Sequence, residues 1–319
     1  MPWTDHALLF SPVHRDLIAP SPIGLIDCGA RGDIPEPWAS YARQHPGAVK
    51  VLGFEAEAAE AARLNAQHAG QRHYMAAAAW NTVGTHALYV TDPPQASSLF
   101  PPNENLSELF TRTGTQMKSL PAGRTVQRVV DVPTTTIDAA LVTHPMDADV
   151  LKIDTQGAEY EILEGARDTL TNALFAVIAE TWTVEAYTGI KPAWDVMRLM
   201  ADNGYAVMRQ ETAGLARWHF PDASTLAFVQ HEQMISLELL FFRDARIFVR
   251  QAAHAAKAYT AVGIADAMGF PDYGVAVLRE ILMRWPGEME NVKRCYGEIA
   301  KRRANGGDHL SALYPPLRM

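Results

Sequence analysis

Ile23-Gly24-Leu25-Ile26-Asp27-Cys28-Gly29-Ala30-Arg31-Gly32 decides how the rest of the chain is read. A short apolar run ends in an acid and then in two glycines, as a buried strand does where it enters a tight turn. Outward from it, Pro37 to Gln44 has helical spacing and Lys50 to Glu55 repeats the strand pattern. The Ala-rich run from Glu55 then reads as a helix stopped by Gly70, and His73 to Ala78 as a third strand. His86 to Thr91 and Val126 to Val132 alternate as strands do, around a Pro/Ser/Asn-rich stretch from Asp92 to Gly123. Ala148 to Asp154 is a buried strand, Ala158 to Leu170 a helix, Ala173 to Glu180 a strand and Ala193 to Asn203 a helix. Tyr205 to Arg209 and Thr225 to Gln230 are expected to close the sheet as an antiparallel pair. Strands alternating with helices predict an α/β fold with a doubly wound sheet.

Past about residue 240 the strand signal stops. Tyr259 to Met268, Gly274 to Trp285 and Met289 to Arg303 carry helical periodicity, broken at Gly269-Phe270-Pro271 and Pro286-Gly287. The expected division is an N-terminal segment 1–22, an α/β domain 23–240 and an all-α extension 241–319. At 319 residues, two units are the ordinary expectation for domains of about 150 residues.

Composition excludes several classes. With 28 Lys+Arg against 36 Asp+Glu the net charge is −8, which gives no electrostatic footprint for nucleic acid. No secretory signal and no apolar run of membrane-spanning length is visible, so a cytoplasmic protein without a membrane span is expected. Two cysteines, Cys28 and Cys295, build neither a disulfide framework nor a thiolate zinc site. The segment Asp92-Pro93-Pro94-Gln95 resembles the motif of amino-group nucleic-acid methyltransferases, but Gln95 lacks the aromatic ring that stacks a flipped base.

The first turn selects a ligand by charge. Against the dinucleotide pattern G-x-G-x-x-G, Gly29 and Gly32 match the second and third glycines, and Asp27 stands at the first. A carboxylate there repels a pyrophosphate, whereas S-adenosylmethionine presents an ammonium and a sulfonium to the same turn. The plain alternative is an acid that caps the next helix. Glu55, 28 residues on and at the end of the second strand, is where a ribose diol expects an acceptor in either ligand class. In Leu151-Lys152-Ile153-Asp154-Thr155-Gln156-Gly157-Ala158-Glu159 the strand delivers Asp154 to the sheet edge, with Lys152 on the same face. Lys152 and Asp154 read equally as a structural ion pair or as working groups, and Glu159 as a first-turn helix acid.

The run LKIDTQGAEYEILEGA resembles the signature of the FkbM family of S-adenosylmethionine-dependent methyltransferases. LIDCGARGD, GFEAE, ASSLF, TTTIDAAL and AETW follow the family's order over residues 23–232. Two departures stand out: Arg31 replaces a small residue in the first turn, and Gln156 stands where the family often has Glu. The resemblance implies a Rossmann-like fold and S-adenosylmethionine bound by Asp27, Gly29, Ala30, Gly32, Glu55, Ala56, Ala79, Trp80 and Asp154. It implies O-methylation of a sugar or natural-product hydroxyl, with Asp154 first and Glu180 second as base or orienting acid, alongside Glu159 and Lys152.

Ser97, Ser98, Asn103 and His219 are the expected acceptor contacts. Three acids at one edge also match the hard oxygen donors of Mg²⁺, although the Gln156 departure argues against a strict metal site and none is predicted. The partner is a small-molecule or glycan acceptor, and a homodimer is the expected assembly. Two rival readings stay open: an NAD(P)-dependent oxidoreductase with a broken fingerprint, and a non-catalytic binding or scaffold protein on the same fold.

Overall fold

The computed structural model describes residues 7–18, 22–70, 72–106, 125–215 and 233–305. The described chain forms two compact units: residues 24–33 with 50–243, and the described parts of 1–23, 34–49 and 244–319.

The larger unit is built on a seven-stranded sheet. Its strands are β1 (Ile23–Cys28), β2 (Val49–Phe54), β3 (Arg72–Met75), β7 (Ala148–Ile153), β8 (Ala176–Trp182), β9 (Tyr205–Leu215) and β10 (Gln233–Arg243). Between β3 and β7 the chain makes a second sheet from β4 (Ala78–Ala79), β5 (Gly84–Asp92) and β6 (Thr125–Thr135). The large sheet runs β3-β2-β1-β7-β8-β10-β9, and the small one β4-β6-β5. β1 pairs with β7, β7 with β8 and β2 with β3 in parallel, while β10 is antiparallel to both β8 and β9. This is a Rossmann-like doubly wound sheet with an antiparallel closing strand. The chain winds one way from β1 and the other way from β7, so the switch point, where open α/β sheets take ligands, lies between those two strands.

One apolar core holds the unit together. Ile26 and Cys28 of β1, Leu151 and Ile153 of β7, Val177 and Ala179 of β8 and Leu239 and Phe241 of β10 are all buried in it, with Val196 and Met200 of the helix Ala193–Asp202. Each such side chain contributes roughly 1.5–3 kcal/mol by leaving water. Asp138 of the TTTIDAAL segment pins the next layer. It accepts hydrogen bonds from the backbone of Asp168 (3.0 Å) and Thr169 (3.0 Å) and from the Thr169 hydroxyl (2.6 Å), clamping two helix starts together. Thr136 caps its own helix by accepting from the Ala139 amide at 2.9 Å.

Two expectations are corrected. The helix over Ala158–Leu170 is two helices, Glu159–Glu164 and Arg167–Asn172. They part at Gly165, where a Cβ would sit 2.1 Å from the Trp80 carbonyl oxygen. The antiparallel pair is Tyr205–Leu215 with Gln233–Arg243, and Thr225 to Gln230 lies outside the described residues. From Leu239 to Arg243 β10 is buried at every position, so it lacks the period-two signal that marks a half-exposed strand. The stretch 92–123 is described only to residue 106, where a short helical turn Pro94–Ala96 and a bridge from Ser98 to Tyr89 tie it down.

The second unit is helical apart from strand ends. Its helices include Pro12–Ile18, Trp38–Gln44, Ala245–Gln251, Ala255–Ala267, Pro271–Arg284 and Met289–Asn305. Ala255–Ala267 is buried at nearly every position, which its alanines permit. Gly263 faces the His14 ring so closely that a Cβ would fall 2.3 Å from Nε2. Asp244 caps the helix that begins at Ala245, accepting from the amides of Arg246 (2.9 Å) and Ile247 (3.2 Å).

Candidate active site

The glycine turn after β1 is held by its neighbours on both sides. The amides of Gly29 and Ala30 donate to the Phe54 carbonyl, each at 3.2 Å, and the Asp154 amide donates to the Cys28 carbonyl at 3.1 Å. Gly29 has φ +81°, and a Cβ there would lie 2.0 Å from the Asp154 carbonyl oxygen. Only glycine satisfies both the left-handed backbone and the close approach. The ends of β1, β2 and β7 are thereby fused into one edge.

A cleft with about 170 Å³ of free space opens at this edge. Gly29, Glu55, Ala56, Ala79, Ser98 and Asp154 are in its wall, and Arg31, Glu57, Ser97 and Lys152 also border it. Asp27 lies 3% exposed, and Lys152 Nζ stands 3.5 Å from Asp27 Oδ1 and 3.5 Å from Asp154 Oδ2. Burial pushes the Asp27 carboxyl up and the Lys152 ammonium pulls it back. Burial opposes the Lys152 charge, but Asp27 and Asp154 outweigh it and hold its pKa above the ordinary lysine value. The buried Asp27 Oδ1 is the oxygen that faces the Lys152 ammonium.

On the β2 side, Glu55 Oε1 accepts from the Glu57 amide at 2.8 Å, while its Oε2 faces Arg31 Nε at 3.9 Å. Burial raises the Glu55 carboxyl, and the Glu57 amide and Arg31 work against that rise. Arg31 also bonds Glu57, which in turn meets Arg128 at 3.2 Å. Four carboxyls (Asp27, Glu55, Glu57, Asp154) thus stand with three cations (Arg31, Lys152, Arg128) in the cleft wall or directly paired to it. The balance favours a ligand that brings positive charge.

The loop after β7 forms a second cluster. Glu159 folds back on it, its Oε1 accepting from the Thr155 amide (3.2 Å), the Thr155 hydroxyl (3.1 Å) and the Gly157 amide (3.1 Å). Glu159 is 3% exposed, and burial lifts its pKa to about 7 against those hydrogen bonds. Gln156, at φ +60°, donates from Nε2 to Asp154 Oδ1 (3.1 Å) and to Glu180 Oε2 (2.7 Å). Burial first, then the Asp154 and Glu159 charges, push Glu180 up to about 8. Lateral register continues the acid row. Glu180 of β8 pairs with Glu238 of β10, and Glu238 with Glu211 of β9.

The expected residues therefore fall into groups. Asp27, Gly29, Glu55, Ala56, Ala79, Lys152, Asp154, Ser97 and Ser98 border or join the cleft. Ala30 is buried between Leu64 and Tyr74 instead, and Gly32 contributes its φ of +100° to the turn. Trp80 is a core residue, its ring 4.7 Å from His86 and 5.5 Å from Phe100 between centroids, and it is not in the cleft wall. Asn103 is not in the cleft wall, and it donates to the Glu185 carbonyl at 2.8 Å. His219 lies outside the described residues. Glu159 works as a loop clamp. Among the described residues no group of three or more His, Cys, Asp or Glu is placed to hold a metal ion. Sequence reasoning missed Tyr187, whose hydroxyl meets Gln156 Oε1 and the Ala96 carbonyl, each at 2.9 Å. Nothing in its local sequence signals that role.

A family model described as the methyltransferase FkbM domain matches residues 27–207, from the first-turn acid through β7 and β8 into β9. The chain belongs to the FkbM methyltransferase family. No curated protein matches it in sequence. Among solved structures it is similar to an FkbM methyltransferase from Methylobacillus flagellatus, at 13% identity and a TM-score of 0.36, over 72% of this chain and 48% of that one. The chain thus spans about half the length of that protein. It is also similar to the SAM-bound magnesium protoporphyrin IX methyltransferase ChlM from Synechocystis (13%, TM-score 0.33, 73% and 76% covered). A third similar structure is a precorrin-6y C5,15-methyltransferase from Geobacter metallireducens (10%, TM-score 0.33, 72% and 86% covered). No helix among the described residues is long and apolar enough to cross a membrane.

Proposed function

We propose that this chain transfers a methyl group from S-adenosylmethionine to a hydroxyl oxygen of a sugar or natural-product acceptor. The observation that carries the donor is Asp27: a carboxylate buried at the switch point and paired with Lys152, beside a cleft whose wall holds Glu55, Glu57 and Asp154 against Arg31 and Lys152. A cationic methyl donor complements that charge, and a diphosphate opposes it. Asp27 would hold the donor's amino-acid end and Glu55 the ribose hydroxyls, through the Oε2 that faces Arg31. Ala56 and Ala79 offer apolar wall for the base.

The donor supplies an electrophilic methyl carbon whose leaving group departs neutral. The protein itself must hold the acceptor oxygen in line and take its proton. Glu180 suits that proton transfer, because its pKa of about 8 makes it a stronger proton acceptor than an ordinary carboxylate, near the working pH range. Asp154, tied to Lys152, serves better as the orienting acid. Ser97 and Ser98, in the same wall, would face the acceptor.

Calorimetric titration with S-adenosylmethionine and with NAD tests the donor. Binding of the first and not the second is expected, and the reverse would return the oxidoreductase reading. Transfer of labelled methyl groups to hydroxyl, amine and carboxyl acceptors then tests the acceptor class; labelling confined to amines would refute the hydroxyl assignment.

A further inference from the structure

Gln156 sits in a backbone conformation that glutamine rarely adopts, with φ +60°, followed by Gly157 at φ +117°. The surroundings over-determine that shape. Glu159 takes the amides on either side, at Thr155 and Gly157, and the Ser98 hydroxyl donates to the Gln156 carbonyl at 2.8 Å. A strained backbone held from several sides marks a residue whose side chain has a defined role. Here the side chain is anchored at one end and divides its donors at the other. Tyr187 fixes the amide oxygen, and the amide nitrogen reaches Asp154 and Glu180 at 3.1 and 2.7 Å.

We propose that Gln156 is a positioning residue of the transfer site, whose carboxamide bridges Asp154 and Glu180 and holds the two carboxyls side by side without a cation between them. The geometry stands by itself; the use of the two acids in transfer rests on the function proposed above. The consequence is electrostatic. Two carboxyls sharing a small space repel when both are ionised, and ordinarily a proton, a metal ion or a donor must stand between them. A neutral amide with two N–H groups meets part of that need with no net charge, beside the proton that Glu180 keeps up to about pH 8. Its hydrogen bond favours the charged form of Glu180 and keeps the base accessible, in the direction opposite to burial. A glutamate at the same position would bring a third carboxylate into the cluster, the hard oxygen set that Mg²⁺ and Mn²⁺ accept.

Three measurements test this on the full chain. In protein labelled with ¹³C at glutamate carboxyls, the Glu180 resonance is assigned by its loss in Glu180→Gln and titrated. Gln156→Leu removes both donors at similar volume, and the Glu180 midpoint is expected to rise by at least half a pH unit. An unchanged or lowered midpoint overturns the proposal. Should Gln156→Leu fail to fold, Tyr187→Phe unties the anchor, and a smaller rise is expected; no rise overturns the proposal equally. Gln156→Glu is expected to bind Mn²⁺, followed by electron paramagnetic resonance, at least tenfold more tightly than the wild type, and equal binding counts against the bridge. S-adenosylmethionine affinity is measured on the wild type in parallel. A wild type that does not bind the donor would sink the functional reading while leaving the titration result intact.

Discussion

Glu159 gives a prediction that can be worked through without knowing the acceptor. Its carboxyl is 3% exposed, and burial lifts its pKa to about 7 from an ordinary 4.5. The folded protein therefore holds this proton more tightly than the unfolded chain does. Between pH 4.5 and about 7 the native state carries more protons, so stability falls as pH rises. The full benefit is present below the unfolded value and is gone once the folded value is passed. At about 1.4 kcal/mol per pH unit, ionising Glu159 within the fold costs about 3 kcal/mol. Glu159→Gln keeps an oxygen that can accept from Thr155 and Gly157 and removes the ionisation. It should match the wild type near pH 5 and exceed it by about 2–3 kcal/mol at pH 8. Urea unfolding at both pH values, followed by hydrogen exchange at the Thr155 and Gly157 amides, makes the comparison; the exchange keeps the measurement local to the unit that holds the loop. A variant no more stable than the wild type at pH 8 would show that burial does not govern this carboxyl, and the reasoning about the loop would fail with it.

Other expectations follow from single contacts. Asp27→Ala should lower S-adenosylmethionine affinity at least tenfold with the fold intact, measured by calorimetry; unchanged affinity contradicts the charge argument. With Glu180 as the proton acceptor, turnover on a hydroxyl acceptor should climb about tenfold per pH unit up to about pH 8 and then level, and Glu180→Gln should remove that climb. Gly165→Ala forces a methyl group against the Trp80 carbonyl and should destabilise the protein by about 2 kcal/mol or more in chemical denaturation. Thr136→Ala loses the cap of the following helix and should cost about 1 kcal/mol.

Local signals in the chain were enough for the strand-and-turn grammar: the apolar runs at β1, β2 and β7, the Gly29 turn, and acids at strand ends. Each depends on nearest neighbours, and so survives reading in one dimension. β10 was less legible because its buried end has no polar alternation, and the need for glycine at 165 because it comes from a carbonyl at residue 80.

What the sequence alone determined is that an α/β sheet places Asp27, Glu55 and Asp154 at its ligand edge, because strand period and glycine turns are local. Only the tertiary structure decided the partners of those groups. Lys152 stands between Asp27 and Asp154 because β1 and β7 pair in one register, and Glu180 meets Gln156 because β8 lies beside β7. Tyr187, 31 residues beyond Gln156, closes the network from a separate segment. Proton affinity and hydrogen-bond allegiance depend on which groups share a desolvated space, and that sharing is fixed by packing between segments distant in the chain.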